Sequence, residues 1–221
     1  MSIILDLYLT RHGQSYGQTD LDGVPLGNIA AALRPPGCET GLMEDDWRLT
    51  PLGQRQAALL GESLAQIPFD AIFCSPLERA RATAGAIAQR QLQTVPLRVL
   101  RDLLEVGDYG DETPEETHQR ALRVASDIRG QAVAGARVLI VAHGAFNTRL
   151  LTALLGLPGP EHLFRFGQDN TGLTRVLYAS EDVAQRKRVR LYCLNDLSHL
   201  PPDVRAQTIK QNVRALYGTP V

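Results

Sequence analysis

A net charge of −1 on 221 residues leaves no general attraction for nucleic acid or an anionic membrane surface, so any site for an anion has to be local. With 44% hydrophobic and 21% charged residues the chain has enough apolar surface to bury a core, which excludes disorder over its whole length. Cys38, Cys74 and Cys193 are few, far apart and without paired metal-ligand spacing, so they read as free thiols in a reducing compartment.

The opening "MSIILDLYL" is too short to span a bilayer, lacks the positive start of a signal peptide and runs straight into Arg11 and His12. It reads as the buried first strand, Ile3 to Leu9, of a cytoplasmic protein. Residues 16–47, rich in Gly, Pro and acidic side chains, have no periodicity; a loop of that length suggests a lid over a site. Leucines and alanines at helical spacing predict a helix over Leu52 to Ile67, with Thr50 as N-cap and Pro51 in the first helical position.

"DAIFCS" then predicts a strand, Leu77 to Gln91 a helix, "LRVL" at 97–100 a short strand and Pro114 to Ile128 a helix. "ARVLIVAH" is the clearest buried strand, and the helix after it, Phe146 to Leu155, is stopped by Gly156 and Pro158. Strands near Leu173 to Tyr178 and Val189 to Leu194 and a helix near Val204 to Leu216 complete the chain. The basic run "RKRVR", Arg186 to Arg190, reads as a solvated strand edge or hairpin. Alternation on this scale predicts one α/β domain over 1–221, a three-layer α/β/α sandwich around a mostly parallel sheet.

In open α/β sheets ligands bind beyond the carboxyl ends of the strands. Strand one ends in Arg11-His12-Gly13, "DAIFCS" leads to Ser75-Pro76 and the helix carrying Arg79, "LRVL" is followed by Glu105, and "VLIVAH" ends in His143-Gly144. Two imidazoles, two guanidinium groups and a carboxylate on one edge suit phosphoryl transfer. Arginine's planar fork matches phosphate oxygens and stays charged. Imidazole can attack phosphorus, and a carboxylic acid can protonate the leaving oxygen and then activate water. Gly13 and Gly144 allow close backbone approach, and the helix starts add donors for an anion. The chemistry requires no metal and no cofactor.

The segments "LTRHGQS", "LTPLGQRQA", "SPLERARATA", "VAHGAFNTRLL" and "LNDLSHL" resemble, in order, the successive motifs of the histidine phosphatase superfamily, which includes cofactor-dependent phosphoglycerate mutase and related phosphatases. The resemblance implies a phosphoglycerate mutase-like fold, with His12 as the nucleophile that becomes phosphorylated. It further implies that Arg11 and Arg79 clamp the phosphoryl oxygens, that His143 donates to the same oxygens and that Glu105 is the proton donor. Asp102, Asp108, Asp111 and Glu112 crowd the same stretch, and the acid could be one of these. His118 and His162 stand in no motif and read as structural or exposed, and His199 resembles a structural tail motif.

Two departures bear on the substrate. Many relatives carry an asparagine near the phosphate where this chain has Gln18, whose longer amide could make the same contact or lose it. Mutases carry an ERHYG-like insertion after the acid, and nothing like it follows Glu105. The expectation is therefore a histidine acid phosphatase-like, metal-independent phosphomonoesterase acting on a small phosphorylated metabolite, with no nucleic-acid or membrane partner. The assembly state is open, a homodimer included. Phosphoglycerate mutase-type transfer and a non-catalytic phospho-ligand module are the alternatives.

Overall fold

The protein is described from a computed structural model that covers residues 3–16, 48–131, 135–159, 166–179 and 188–217. Most of the expected 16–47 lid, with Gln18 and Cys38, and also His162, lies outside these residues. Among them run six strands and five α-helices: β1 (Ile3–Arg11), α1 (Pro51–Leu64), β2 (Ala71–Cys74), α2 (Glu78–Ala88), β3 (Leu97–Val99), α3 (Pro114–Gln131), β4 (Ala136–Ala142), α4 (Gly144–Leu155), β5 (Leu173–Ala179), β6 (Arg188–Asp196) and α5 (Pro202–Tyr217). None of the described helices is long and apolar enough to cross a membrane.

The strands form one sheet in the order β3-β2-β4-β1-β5-β6. The first four pair in parallel, while β5 and β6 run antiparallel to their neighbours, so the sheet is mostly parallel as expected. Strand alternation sends Leu5, Leu7, Leu9, Val138 and Ile140 to one face, where they pack with Ala121, Val124 and Ile128 of α3 and Phe146, Leu150 and Leu154 of α4. Tyr8, Ile72, Cys74, Leu139 and Val141 point to the other face and meet Leu60 and Leu64 of α1 and Ala80, Ala84 and Ile87 of α2. Two apolar layers around one sheet make the α/β/α sandwich.

Local chemistry explains two of the helix ends. Thr50 caps α1, its side chain accepting from Gly53 N, with Pro51 in the first turn. Gly156 ends α4 at φ +65°, a left-handed conformation that costs glycine little. The start of α4 differs from expectation by two residues, because the helix begins at Gly144 rather than Phe146. Arg188 to Arg190, the described part of the basic run, begins β6 at the sheet edge. The chain leaves the described core at Tyr16 and rejoins it at Arg48; Tyr16 N donates to Arg48 O at 3.1 Å and Ser15 bridges Leu49, so these two ends are tied together.

Candidate active site

Register places the strand ends level. Arg11 pairs with Ala142, and His12 N donates to Ala142 O at 3.0 Å, so His12 and His143 leave two neighbouring strands side by side. Their rings lie 5.0 Å apart between centroids, at 64°. Cys74 pairs with Val141 one strand over, which brings Ser75 to the same edge, with its Oγ 2.8 Å from His143 Nε2.

His12 is 2% exposed, and its two nitrogens face different partners. Nδ1 lies 2.7 Å from the carbonyl oxygen of Gly13, which can only accept, so Nδ1 carries the proton. Nε2 is then the lone-pair nitrogen, and Arg79 Nε donates to it at 3.2 Å. Burial holds His12 well below its ordinary protonation range, and the nearby His143, Arg79 and Arg11 add to the effect. Burial also dominates the lowered value of His143, with Arg79, Arg11 and Arg120 contributing. Both imidazoles are therefore neutral at neutral pH.

Arg79 is buried in the first turns of α2, whereas Arg81 is exposed. Its Nη2 donates to Asp108 Oδ2 at 3.2 Å. Arg11 Nη1 donates to Gln168 O at 2.9 Å, and the guanidinium lies over Gly144, where a Cβ would meet Arg11 Nε at 3.4 Å, an ordinary van der Waals contact. Gly13 allows a close backbone approach of another kind as well. Its N–H is donated to Thr83 Oγ1 at 3.0 Å, and a Cβ there would lie 2.5 Å from Gly53 O. The missing side chain lets the loop after β1 lie backbone to backbone against the first turn of α1.

Four of the five carboxylates after β3 have separate partners. Glu105 Oε1 accepts from Phe146 N at 2.8 Å and Val106 N at 2.9 Å, and Oε2 accepts from Ala145 N at 3.2 Å. His143 supplies no side-chain cap to α4, so Glu105 caps that helix from another element, and this is why α4 starts early. Asp102 accepts from Tyr109 OH, Asp108 from Arg79 and Glu112 from Arg120, while Asp111 is exposed.

Three supports of the site went unread in the sequence. Asn170 Nδ2 donates to His12 O at 2.9 Å, and Thr171 N donates to Arg11 O at 3.0 Å. Thr171 holds φ +58°, unfavourable for a β-branched residue, and no local signal announces it. Ser75 was visible only as a strand end. His199 Nε2 lies 3.2 Å from Thr171 Oγ1, and His118 is buried on α3. Among the described residues no group of three or more His, Cys, Asp or Glu side chains is placed to hold a metal ion. Cys74 and Cys193 are free thiols.

The chain that builds this edge has relatives among known proteins. The model of the histidine phosphatase superfamily (branch 1) matches residues 7–111 and 105–189, and the chain belongs to that family. It is 32% identical over 176 residues to the uncharacterized phosphatase PhoE of Bacillus subtilis, covering 70% of this chain and 85% of that protein. It is 31% identical to a probable phosphoglycerate mutase of Yersinia enterocolitica, covering 79% of this chain and 86% of the other. Among solved structures, a mutant phosphoserine phosphatase from Entamoeba histolytica bound to phosphoserine superposes with a TM-score of 0.62 at 20% identity, over 89% of this chain and all of that one. The mycobacterial glucosyl-3-phosphoglycerate phosphatase does so at 0.62 and 22%, over 86% and 98%. These likenesses establish the phosphoglycerate mutase-like fold.

Proposed function

We propose that the chain is a metal-independent phosphomonoesterase that hydrolyses a small phosphorylated metabolite through a phosphohistidine on His12. The observation that carries this is the setting of the His12 ring: Nδ1 lies 2.7 Å from Gly13 O, which leaves the lone pair on Nε2, 3.2 Å from Arg79 Nε, with the His143 ring 5.0 Å away. A buried neutral imidazole needs no base to become a nucleophile.

In the first step the Nε2 lone pair forms a bond to phosphorus as the bond to the leaving oxygen breaks. Arg11 and Arg79 carry the charge on the phosphoryl oxygens, and His143 donates to them. Glu105 gives its proton to the leaving oxygen; Oε2, with one longer backbone contact, is the oxygen suited to hold that proton. In the second step the Glu105 carboxylate takes a proton from water, the hydroxide attacks phosphorus, and the N–P electron pair returns to Nε2.

Hydrolysis is preferred to mutase transfer because α3 begins at Pro114, nine residues after Glu105, and the mutase-type insertion is absent. The substrates named for the relatives, phosphoserine and glucosyl-3-phosphoglycerate, support a small phosphate monoester. The test is turnover of an aryl phosphate by wild type and His12→Ala, with acid-stable and acid-labile phosphoprotein distinguished after rapid quenching. An acid-labile phosphoryl group on wild type alone, with turnover insensitive to chelators, is the expected result. Turnover surviving in His12→Ala overturns the proposal, and isomer exchange of phosphoglycerate without phosphate release favours the mutase.

A further inference from the structure

The loop that carries Glu105 has little regular structure to hold it. It turns through Gly107 and Gly110, at φ +96° and +124°, between a single turn of 3-10 helix and the start of α3. Yet a proton donor must stand within a fraction of an ångström of its place to act. One side chain from outside the loop gathers it.

Arg120 of α3 is 0% exposed. Its Nε donates to both oxygens of Glu112, at 2.8 and 3.1 Å, and Nη2 to Glu112 Oε2 at 2.6 Å. Nη1 donates to the carbonyls of Asp102 and Leu104, each at 2.9 Å. The guanidinium carbon Cζ lies over both rings, 4.4 Å from the centre of Tyr109 and 4.2 Å from that of Phe146. Tyr109 OH in turn donates to Asp102 Oδ1 at 2.7 Å. The contacts therefore fall on both sides of Glu105 in the chain, and Phe146 is the residue whose N–H binds the Glu105 carboxylate.

Burying an ion pair is a poor way to gain stability, since well-packed apolar groups of the same volume often serve as well. What a guanidinium supplies that they cannot is direction: a planar set of donors and two stacking faces. We propose that Arg120, clamped by Glu112, is a positioning residue that fixes the donor loop and the start of α4 as one unit, and so sets where Glu105 presents its proton. The proposal rests on the reading of Glu105 as the proton donor.

The test compares kcat/KM on p-nitrophenyl phosphate, whose leaving group departs without a proton, with kcat/KM on phosphoserine, whose alkoxide needs one. Glu105→Gln serves as reference, and it should lose roughly 10²- to 10⁴-fold on the alkyl ester with a far smaller loss on the aryl ester. Arg120→Lys and Glu112→Gln should show the same selective pattern at roughly 10- to 100-fold, the scale of a small misplacement of a catalytic group. Glu112→Gln keeps the volume of the buried cluster, so it reports even where Arg120→Lys does not fold. Equal losses on both esters in the clamp variants, with Glu105→Gln selective, overturn the positioning role and leave the donor assignment standing. A Glu105→Gln enzyme that treats both esters alike overturns the donor assignment, and the positioning role falls with it.

Discussion

The parallel and antiparallel halves of the sheet serve the site in different ways. β1, β2, β3 and β4 end at the reacting edge and deliver side chains there: Arg11 and His12, Ser75, Glu105 on the loop beyond β3, and His143. β5 runs the opposite way, so the turn entering it reaches the same edge. That turn contributes backbone and one amide: Gln168 O to Arg11, Thr171 N to Arg11 O, and Asn170 Nδ2 to His12 O. In the proposed mechanism the reacting groups come from β1 to β4, which end at the edge, while the turn entering β5 holds them in place.

Mutations can break this division of labour. The largest effect belongs to the parallel half. His12→Ala should abolish turnover, a loss of roughly 10⁴-fold or more in kcat, since the covalent route closes with it. Arg79→Lys should cost roughly 10²- to 10³-fold in kcat/KM, because an ammonium cannot replace the fork that meets His12 and Asp108 and that the proposed mechanism sets on the phosphoryl oxygens. A change in the antiparallel half that matched His12→Ala in steady-state assays would end the comparison.

Smaller effects sharpen it. Asn170→Ala removes the partner of a buried carbonyl and should destabilise the fold by about 1–3 kcal/mol while lowering kcat/KM less than Arg79→Lys does, as read by denaturant titration and kinetics together. The smallest effect is on pH. Burial lowers His199 from its ordinary 6.5 to about 4, with Asp196 opposing and Arg205 assisting. Between those values the unfolded chain binds more protons than the folded one, so this contribution to stability is complete above 6.5 and is lost as pH falls toward 4. His12 and His143, both lowered by burial, act in the same direction. Melting temperature should fall on acidification through this window, and His199→Gln should flatten the slope without changing kcat at neutral pH.

How much of this was legible depended on distance along the chain. His12, Arg79 and His143 could be read because each follows an apolar run that ends at the binding edge. The cap of α1 could be read because Thr50 and Gly53 lie within one turn. The early start of α4 could not, since its cap, Glu105, lies about forty residues upstream. The same holds for Gly13, whose meaning comes from Gly53 and Thr83, and for Asn170, which reaches His12 only through antiparallel pairing of β5 with β1. Five carboxylates in eleven residues looked interchangeable; only their partners tell them apart.

The tie between Tyr16 and Arg48 has an evolutionary consequence. The chain leaves and re-enters the described core at neighbouring points, a few residues from His12 in the sequence. Doubling such an insert costs only about 0.6 kcal/mol in closure entropy. Selection can thus lengthen, shorten or replace the sequence between these two ends while the described edge beneath them keeps its spacing.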